Sequence, residues 1–244
     1  MSDATLRVMW LYPDHMNIYA DRGNIAILER RCVWRGLGFE LGTAGPGDEL
    51  DADGHDLYYM GGGQDRDQAL VARDLVETKR DALAAAVGSG AAMLAVCGGY
   101  QLLGHSYAVG EESLPGLGLV DLRTVREPGE RLIGNVVIDT ELGRLAGFEN
   151  HGGRTYLGAG ERTLGRVVSG FGNNGKDGGE GVRRGRLIGT YLHGPLLPKN
   201  TWLADVLIGW ALERRLGAAP ELEPLDDRLE QAAHESATRA ALSR

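Results

Sequence analysis

The feature that most limits the fold is a short apolar run, residues 91–96, that contains no polar position and ends directly at Cys97. A strand with one face in water alternates apolar and polar residues, whereas a continuous apolar run is typical of a strand covered on both faces. Residues 6–12 and 57–60 form two further short apolar runs. The sequence therefore predicts a parallel sheet that lies between layers of helices.

Segments with helical spacing lie between and after these runs. Apolar side chains recur every three or four positions in residues 23–36 and 65–87, which predicts helices between successive strands. Residues 202–216 predict an amphipathic helix, and residues 225–242 predict a last, more polar helix. Because strands alternate with helices, we expect an α/β three-layer sandwich with a mostly parallel, flavodoxin-like sheet.

The second half of the chain has a different character. Residues 135–139, 167–171 and 187–192 predict strands, which we expect to join the same sheet as antiparallel additions. The segment 173–181 is Gly-rich and polar, so it predicts a long flexible loop.

Length, charge and cysteine content restrict the class of protein. For 244 residues we expect one domain, 1–244, with a core at about residues 6–217 and a helical extension at about 218–244. The formal net charge of -8 argues against a nucleic-acid partner. No apolar stretch approaches the length of a membrane span or a signal peptide, so we expect a cytoplasmic location. The two cysteines have no metal-ligand spacing, so no metal site is predicted.

Cys97 lies where a chain can build a reactive thiol. It follows a buried strand and precedes a helix, and Ala95, Gly98 and Gly99 are the small neighbours that such a sharp turn requires. Amides at the start of the helix would favour the thiolate and supply donors for an oxyanion. A free cysteine is more often a small buried hydrophobic residue. The composition of the turn favours the nucleophile over this alternative.

A cysteine nucleophile needs a base, and His193 is the favoured candidate among six histidines. It directly follows the predicted strand 187–192, so its imidazole can emerge at the same sheet edge as Cys97. His151 competes, because it lies in a Gly-rich segment that suits ligand contact, but we favour a structural hydrogen bond for it. The mechanism requires that neither Cys97 nor His193 is buried and that both lie at one edge.

Several motifs together resemble a known family, the class I (triad) glutamine amidotransferases of the cobyric acid synthase type. The motifs are Gly61-Gly62-Gly63-Gln64 after a strand, Cys97-Gly98-Gly99-Tyr100-Gln101, and, roughly a hundred residues later, Tyr191-Leu192-His193-Gly194. Residues 12–19, 21–24 and 149–155 look like the subfamily that supplies the glutaminase subunit of lipid II isoglutaminyl synthase. The likeness extends from about residue 8 to about residue 195.

The resemblance implies the catalytic roles. Cys97 would attack the side-chain amide of glutamine, and His193 would serve as general base and then as general acid. Backbone amides at Gly62, Gly63 and Gly98 would form the oxyanion hole, where one donor is typically worth ~2.7 to 4 kcal/mol.

The resemblance also implies that Arg131, Gln101 and Gln64 bind the substrate, and that this chain needs no metal or cofactor of its own. A guanidinium at Arg131 can hold the α-carboxylate of glutamine through two parallel hydrogen bonds. From its sequence context alone, Arg131 could equally be a solvated surface residue.

Two positions depart from the usual pattern of the family. The acid that orients the histidine often lies two residues after it, but Pro195 occupies that position here. The third member of the triad must therefore come from elsewhere in the chain or from a partner. Ala95 lies where many members have Gly, which adds one methyl group and is a minor change.

The resemblance finally implies a partner. The sequence has no G-x-x-x-x-G-K-[ST] phosphate loop, so a second polypeptide would activate the acceptor. In the lipid II branch this is a Mur-ligase-like synthetase that uses ATP and Mg, forms a heterodimer with the glutaminase, and amidates D-glutamate of lipid II to D-isoglutamine in peptidoglycan synthesis. The alternatives are another acceptor such as a corrin, a stand-alone Cys-His hydrolase, and a non-catalytic scaffold.

Overall fold

The computed structural model describes residues 4–18, 21–109 and 112–243. Residue 19, which ends the first subfamily motif, lies outside these ranges. The first half of the chain contains four strands: β1 (Thr5–Leu11), β2 (Gly38–Ala44), β3 (Leu57–Met60) and β4 (Ala92–Val96). Its helices are α1 (Arg22–Trp34), α2 (Asp65–Asp74), α3 (Arg80–Gly88) and α4 (Gly98–Leu102), and a π-helical stretch, Leu75–Lys79, joins α2 to α3.

The second half consists mainly of strands. They are β5 (Ser106–Val109), β6 (Glu112–Pro115), β7 (Leu122–Arg126), β8 (Leu132–Thr140), β9 (Gly143–His151), β10 (Gly153–Leu157), β11 (Gly165–Ser169), β12 (Gly179–Glu180), β13 (Val182–Arg184) and β14 (Leu187–Thr190). Three helices follow: α5 (Leu196–Lys199), α6 (Thr201–Leu216) and α7 (Arg228–Leu242). No helix within the described ranges is both long and apolar enough to cross a membrane.

A six-stranded sheet forms the centre, in the order β13-β14-β4-β3-β1-β2. All neighbouring pairs are parallel except β13 with β14 at one edge. Every residue of β3, β4 and β14 is buried, as expected of strands that helices cover on both faces. The predicted three-layer α/β architecture is confirmed, and the continuous apolar runs of β3 and β4 are the reason that it could be predicted.

The prediction that the second half adds antiparallel strands to this sheet is wrong in most of its parts. Residues 135–139 and, of the predicted strand 167–171, only residues 167–169 lie in a separate antiparallel sheet, β12-β11-β8-β9. A third sheet has the order β10-β7-β5-β6. Only β13 and β14 join the central sheet, and β14 pairs with β4 in parallel. The reason is local: β8 pairs along its whole length with β9 across a two-residue turn, and β11 pairs with its other edge, so neither edge is left for the central sheet.

The expected flexible loop at residues 173–181 is instead fixed by its own polar side chains. Asn173 is buried, and its side chain bonds both the amide of Gly181 (2.8 Å) and the carbonyl of Gly181 (3.0 Å). The hydroxyl of Tyr100 also donates to Asn173 Oδ1 at 3.0 Å. An asparagine that supplies both donors and acceptors can hold a Gly-rich segment without regular secondary structure.

A buried arginine connects the C-terminal helical segment to the central layers. Arg31, on α1, has no exposed surface, and its guanidinium binds Asp205 on α6 and Asp227 just before α7, each through two hydrogen bonds of 2.6 to 2.8 Å. α7 itself packs on the sheet of β8 and β9, where Ala241 meets Val137. The last helix is therefore held by charge at its start and by apolar contact along its length.

Arg31→Met should lower the free energy of unfolding by about 3 kcal/mol, because it leaves the partly buried carboxylate of Asp227 without its cation, whereas Asp205 keeps its ion pair with Arg35. Urea unfolding followed by circular dichroism measures the change. Arg228→Met is the matched control, since Arg228 pairs with Asp226 in full exposure and its loss should change stability little. Equal effects of the two substitutions would contradict the structural role given to Arg31.

Candidate active site

Cys97 occupies a strained bend between β4 and α4. Its φ is 51° and its ψ is -107°, and among the described residues other than glycine only Tyr12 shares a positive φ. Such a conformation costs about 1 to 3 kcal/mol and persists only where the surroundings enforce it. Here the amide of Cys97 donates to Thr190 O at 2.8 Å, and Gly99 N donates to Gly61 O at 3.1 Å. The bend is thus tied to both neighbouring strands, β14 and β3.

The small residues beside Cys97 are a packing requirement. A Cβ at Gly99 would lie 2.6 Å from the carbonyl oxygen of Met60, which belongs to the backbone of β3 and cannot move aside. A Cβ at Gly62 would lie 3.2 Å from Cys97 Cβ. The turn after β3 and the bend after β4 therefore touch, and glycine permits that approach.

His193 lies at the same sheet edge as Cys97. β14 runs parallel to β4 with Thr190 opposite Val96, so the chain leaves both strands side by side. Three residues later, His193 exchanges backbone hydrogen bonds of 3.0 and 3.1 Å with Phe148, and the two rings pack edge to face with centroids 5.7 Å apart. The sheet thus fixes the relative placement of nucleophile and imidazole.

The expectation that neither group is buried is wrong, and the requirement drawn from it was too strict, because Cys97 still lines a cavity that a small substrate can enter. Cys97 is 6% exposed, and His193 has no exposed surface. Part of the covering comes from Phe148 of β9, which pairs with the backbone of His193 and packs its ring against the imidazole. Burial lowers the pKa of His193 to about 4, and the nearby His151 and Lys199 act in the same direction. His193 is consequently a neutral imidazole at pH 7, which can accept a proton.

A cavity of about 230 Å³ opens beside Cys97, and four of the predicted site residues line it: Cys97, Gly63, Gln101 and Arg131. Arg126, Glu127 and His151 add further polar groups to the wall. Gly98 adjoins the cavity as the first residue of α4. The predicted residues Gly62, Gln64 and His193 are not part of this wall.

Gly62 cannot serve the oxyanion as predicted, because its amide already donates to Asp21 Oδ2 at 2.9 Å. Asp21 is buried, and burial raises the pKa of its carboxyl to about 7 against the opposing effect of that hydrogen bond. Gly63 and Gly98 face each other, since a Cβ at Gly98 would lie 3.1 Å from Gly63 N. These two amides therefore remain the candidate oxyanion donors.

Gln64 also lies away from its predicted position. Its side chain is exposed at the start of α2, where its backbone carbonyl accepts a hydrogen bond from Gln68 N at 2.9 Å. One helical turn later, Gln68 is buried and lines the cavity. The sequence motif thus favoured Gln64, whose side chain is exposed, over Gln68, whose side chain lines the cavity.

Gln101 and Arg131 are each held in place by hydrogen bonds. Gln101 Nε2 donates to the hydroxyl of Tyr191 at 3.0 Å, so the side chain is fixed at the cavity wall. Arg131, at the exposed rim, donates from Nε to Asn150 Oδ1 (2.9 Å) and from Nη2 to Asn150 O (3.0 Å). A guanidinium oriented in this way can present a defined edge to a carboxylate.

His151 combines a structural hydrogen bond with a place in the cavity wall. Its Nδ1 lies 2.9 Å from Gly153 O, and its ring stacks on Tyr191 with centroids 3.5 Å apart. Glu149 Oε2 lies 3.6 Å from Nε2. The hydrogen bond to Gly153 agrees with the structural role favoured from the sequence, and the cavity position is an additional feature.

Sequence reasoning missed several buried acids and one amide around the site. Asp21, Glu149 and Glu180 are buried, and Glu180 accepts hydrogen bonds from Thr190 Oγ1 (3.0 Å) and Tyr191 N (2.7 Å). Burial raises the pKa of Glu180 to about 8. The sequence pattern could have indicated Gln68. It lies four and seven residues before the buried Ala72 and Leu75, so it is a polar residue on the apolar face of a helix.

The fold and the strained cysteine beside a polar cavity are those of a glutamine amidotransferase, and the chain belongs to the family with the CobB/CobQ-like glutamine amidotransferase domain, which matches residues 7–201. It is 40% identical over 227 residues to the lipid II isoglutaminyl synthase (glutamine-hydrolyzing) subunit GatD of Staphylococcus aureus, covering 92% of this chain and 91% of that protein. The GatD subunit of Streptococcus pneumoniae is 36% identical, with coverages of 93% and 88%.

A solved structure supports the fold independently. The structure of PurLQS from Thermotoga maritima superposes with a TM-score of 0.57 at 22% identity, covering 87% of this chain and 98% of that one. The predicted family is therefore confirmed by sequence, and the predicted fold by structure.

The burial of His193 predicts a pH-dependent contribution to stability. Its pKa is about 4 in the folded state and about 6.5 when unfolded, so the unfolded chain binds more protons between these values. The contribution of His193 to the free energy of unfolding is fully present above about pH 6.5. It declines by about 3 kcal/mol as the pH falls to about 4.

The measurement is urea unfolding of the parent chain and His193→Gln at several pH values. Asp21 and Glu180 have raised pKa values and give the opposite slope, but this slope is common to both proteins and cancels in their difference. The parent should lose more stability than the variant between pH 6.5 and 4. Parallel curves would show that His193 is not a buried neutral imidazole.

Proposed function

We propose that this chain hydrolyses L-glutamine to L-glutamate and ammonia through a thioester on Cys97. The observation that carries the proposal is the strained Cys97 at the wall of a polar cavity that also contains Gln101 and Arg131. Membership of the amidotransferase family and the GatD relatives support the same chemistry. A cavity of about 230 Å³ suits a single amino acid better than a peptide segment.

In the first half-reaction, His193 takes the proton of the Cys97 thiol while the sulfur attacks the carboxamide carbon. The carbonyl oxygen becomes an oxyanion, which the amides of Gly63 and Gly98 stabilise. When the tetrahedral intermediate collapses, its C–N bond breaks, and His193 returns the proton to the leaving nitrogen. The products are ammonia and a γ-glutamyl thioester.

In the second half-reaction, His193 takes a proton from water, whose oxygen attacks the thioester carbon. The C–S bond then breaks, L-glutamate leaves, and the proton returns to the sulfur of Cys97. A neutral imidazole is the form that this cycle requires at its start, and the lowered pKa of His193 supplies it.

We further propose that the ammonia goes to a Mur-ligase-like partner that uses ATP and Mg to amidate D-glutamate of lipid II. Both GatD relatives are named as subunits of a lipid II isoglutaminyl synthase, and the alignments cover most of each chain. In this proposal the two chains form a heterodimer that works in the cytoplasm, and the glutaminase chain binds no cofactor. The third triad group comes either from this chain or from the partner.

Cys97→Ala should reduce glutamate release by at least about 1,000-fold, because the reaction loses its nucleophile. The assay measures glutamate release and lipid II amidation by the chain coexpressed with the candidate ligase. Cys32→Ala is the matched control, since Cys32 is a buried thiol on α1 whose pKa burial raises to about 12, and both activities should persist. Full glutamine-dependent activity in Cys97→Ala would contradict the mechanism.

Arg131→Ala should raise KM for glutamine about 10- to 100-fold with a smaller effect on kcat, because a charge-assisted hydrogen bond contributes about 1.5 to 3 kcal/mol. Steady-state glutaminase kinetics provide the measurement. Arg166→Ala, an exposed arginine on β11, is the matched control and should leave KM unchanged. An unchanged KM in Arg131→Ala would remove Arg131 from the substrate site.

A further inference from the structure

Gln68 on α2 carries a buried acceptor that the protein itself does not use. The side chain is 2% exposed and lines the cavity with Cys97. Its Nε2 donates to Gly63 O at 3.0 Å, whereas Oε1 is buried and accepts no hydrogen bond from the chain within the described ranges. A buried acceptor without a donor costs about 1 to 3 kcal/mol, so its retention calls for a donor from outside the chain.

The orientation of this amide follows from its one hydrogen bond. The carbonyl oxygen of Gly63 can only accept, so the group that faces it must be the nitrogen of Gln68. The oxygen is therefore the atom left for a ligand. Gln68 holds the turn after β3 with one end of its amide and offers an acceptor at the other end.

The amide of Gln68 lies beside the nucleophile. A Cβ at Gly98 would meet the Gln68 amide first, at its nitrogen, and Gly63 N at 3.1 Å, so both groups lie against the residue that follows Cys97. The amide group that carries the unused acceptor thus lies beside the two candidate oxyanion donors. This arrangement matches a carboxamide, which has an acceptor and a donor on the same carbon.

We propose that Gln68 Oε1 accepts a hydrogen bond from the carboxamide N–H of the substrate and thereby selects L-glutamine over L-glutamate. The inference rests on the proposed glutaminase function. With the carboxamide oxygen at the amides of Gly63 and Gly98, its nitrogen points to Gln68. In L-glutamate a carboxylate oxygen would face Oε1 instead, so two acceptors would be opposed without a proton between them.

This selectivity also assists turnover. Hydrolysis replaces the N–H donor with an oxygen, so the contact that binds the substrate becomes repulsive in the product. Gln68 is therefore a specificity residue that also favours the release of L-glutamate. It takes no part in bond making, which distinguishes it from Cys97 and His193.

The experiment measures the affinity of L-glutamine and L-glutamate by calorimetry, with the full chain carrying Cys97→Ala so that glutamine is not consumed. Adding Gln68→Met, which keeps the length of the side chain but removes both polar atoms, should weaken glutamine binding about 10- to 100-fold. Glutamate binding should stay the same or become tighter. The ratio of the two dissociation constants should thus fall by at least about tenfold.

Two further variants separate recognition from support of the turn. Gln68→Glu keeps an oxygen acceptor but loses the donor to Gly63 O, so it should bind glutamine more tightly than Gln68→Met does. Gln231→Met, at an exposed position on α7, is the control and should not change the ratio. Circular dichroism checks that each variant is folded.

Equal weakening of both ligands by Gln68→Met, or an unchanged ratio, would overturn the inference and leave Gln68 as a support of the Gly63 turn. If Gln68→Met does not fold, Gln68→Glu takes its place in the test. A folded Gln68→Glu chain that binds L-glutamate as tightly as L-glutamine would overturn the inference as well. Failure of the Cys97→Ala chain to bind either amino acid would contradict the proposed function itself, and the inference would fall with it.

Discussion

The active-site arrangement depends on one backbone hydrogen bond, from Cys97 N to Thr190 O at 2.8 Å. It joins the bend after β4 to the end of β14, so the strained nucleophile and the segment that carries His193 are fixed by the same contact. Glu180 reinforces it, because it binds both the hydroxyl of Thr190 and the amide of Tyr191. A strained conformation of about 1 to 3 kcal/mol is maintained by this surrounding network.

Burial determines the chemistry of the base. A histidine at the surface would be partly protonated near neutral pH, whereas β9 covers His193 and keeps it neutral. The imidazole is not part of the wall of the cavity that Cys97 and Arg131 share. The site therefore combines a polar cavity that suits an amino acid with a buried, neutral base.

The sequence predicted those features that depend on the burial of single residues. The apolar runs of β3 and β4, the small residues around Cys97 and the position of His193 after β14 all follow from local composition. Features that depend on contacts between distant segments of the chain were missed. The amide of Gly62 donates to Asp21, and Gln68 lines the cavity in the place expected for Gln64. The two additional sheets of the second half were missed for the same reason. Alternation of apolar and polar residues predicts a strand, but it does not identify the strand that pairs with it.

The central claim is that Cys97 is a nucleophile within a glutamine-binding cavity, and covalent labelling tests it most directly. The intact chain is incubated with 6-diazo-5-oxo-norleucine, a glutamine-like electrophile, and is then analysed by peptide mass spectrometry. The account predicts one adduct at Cys97, its suppression by excess L-glutamine, and no adduct at the buried Cys32. Absence of the Cys97 adduct, or labelling that glutamine does not suppress, would contradict the account.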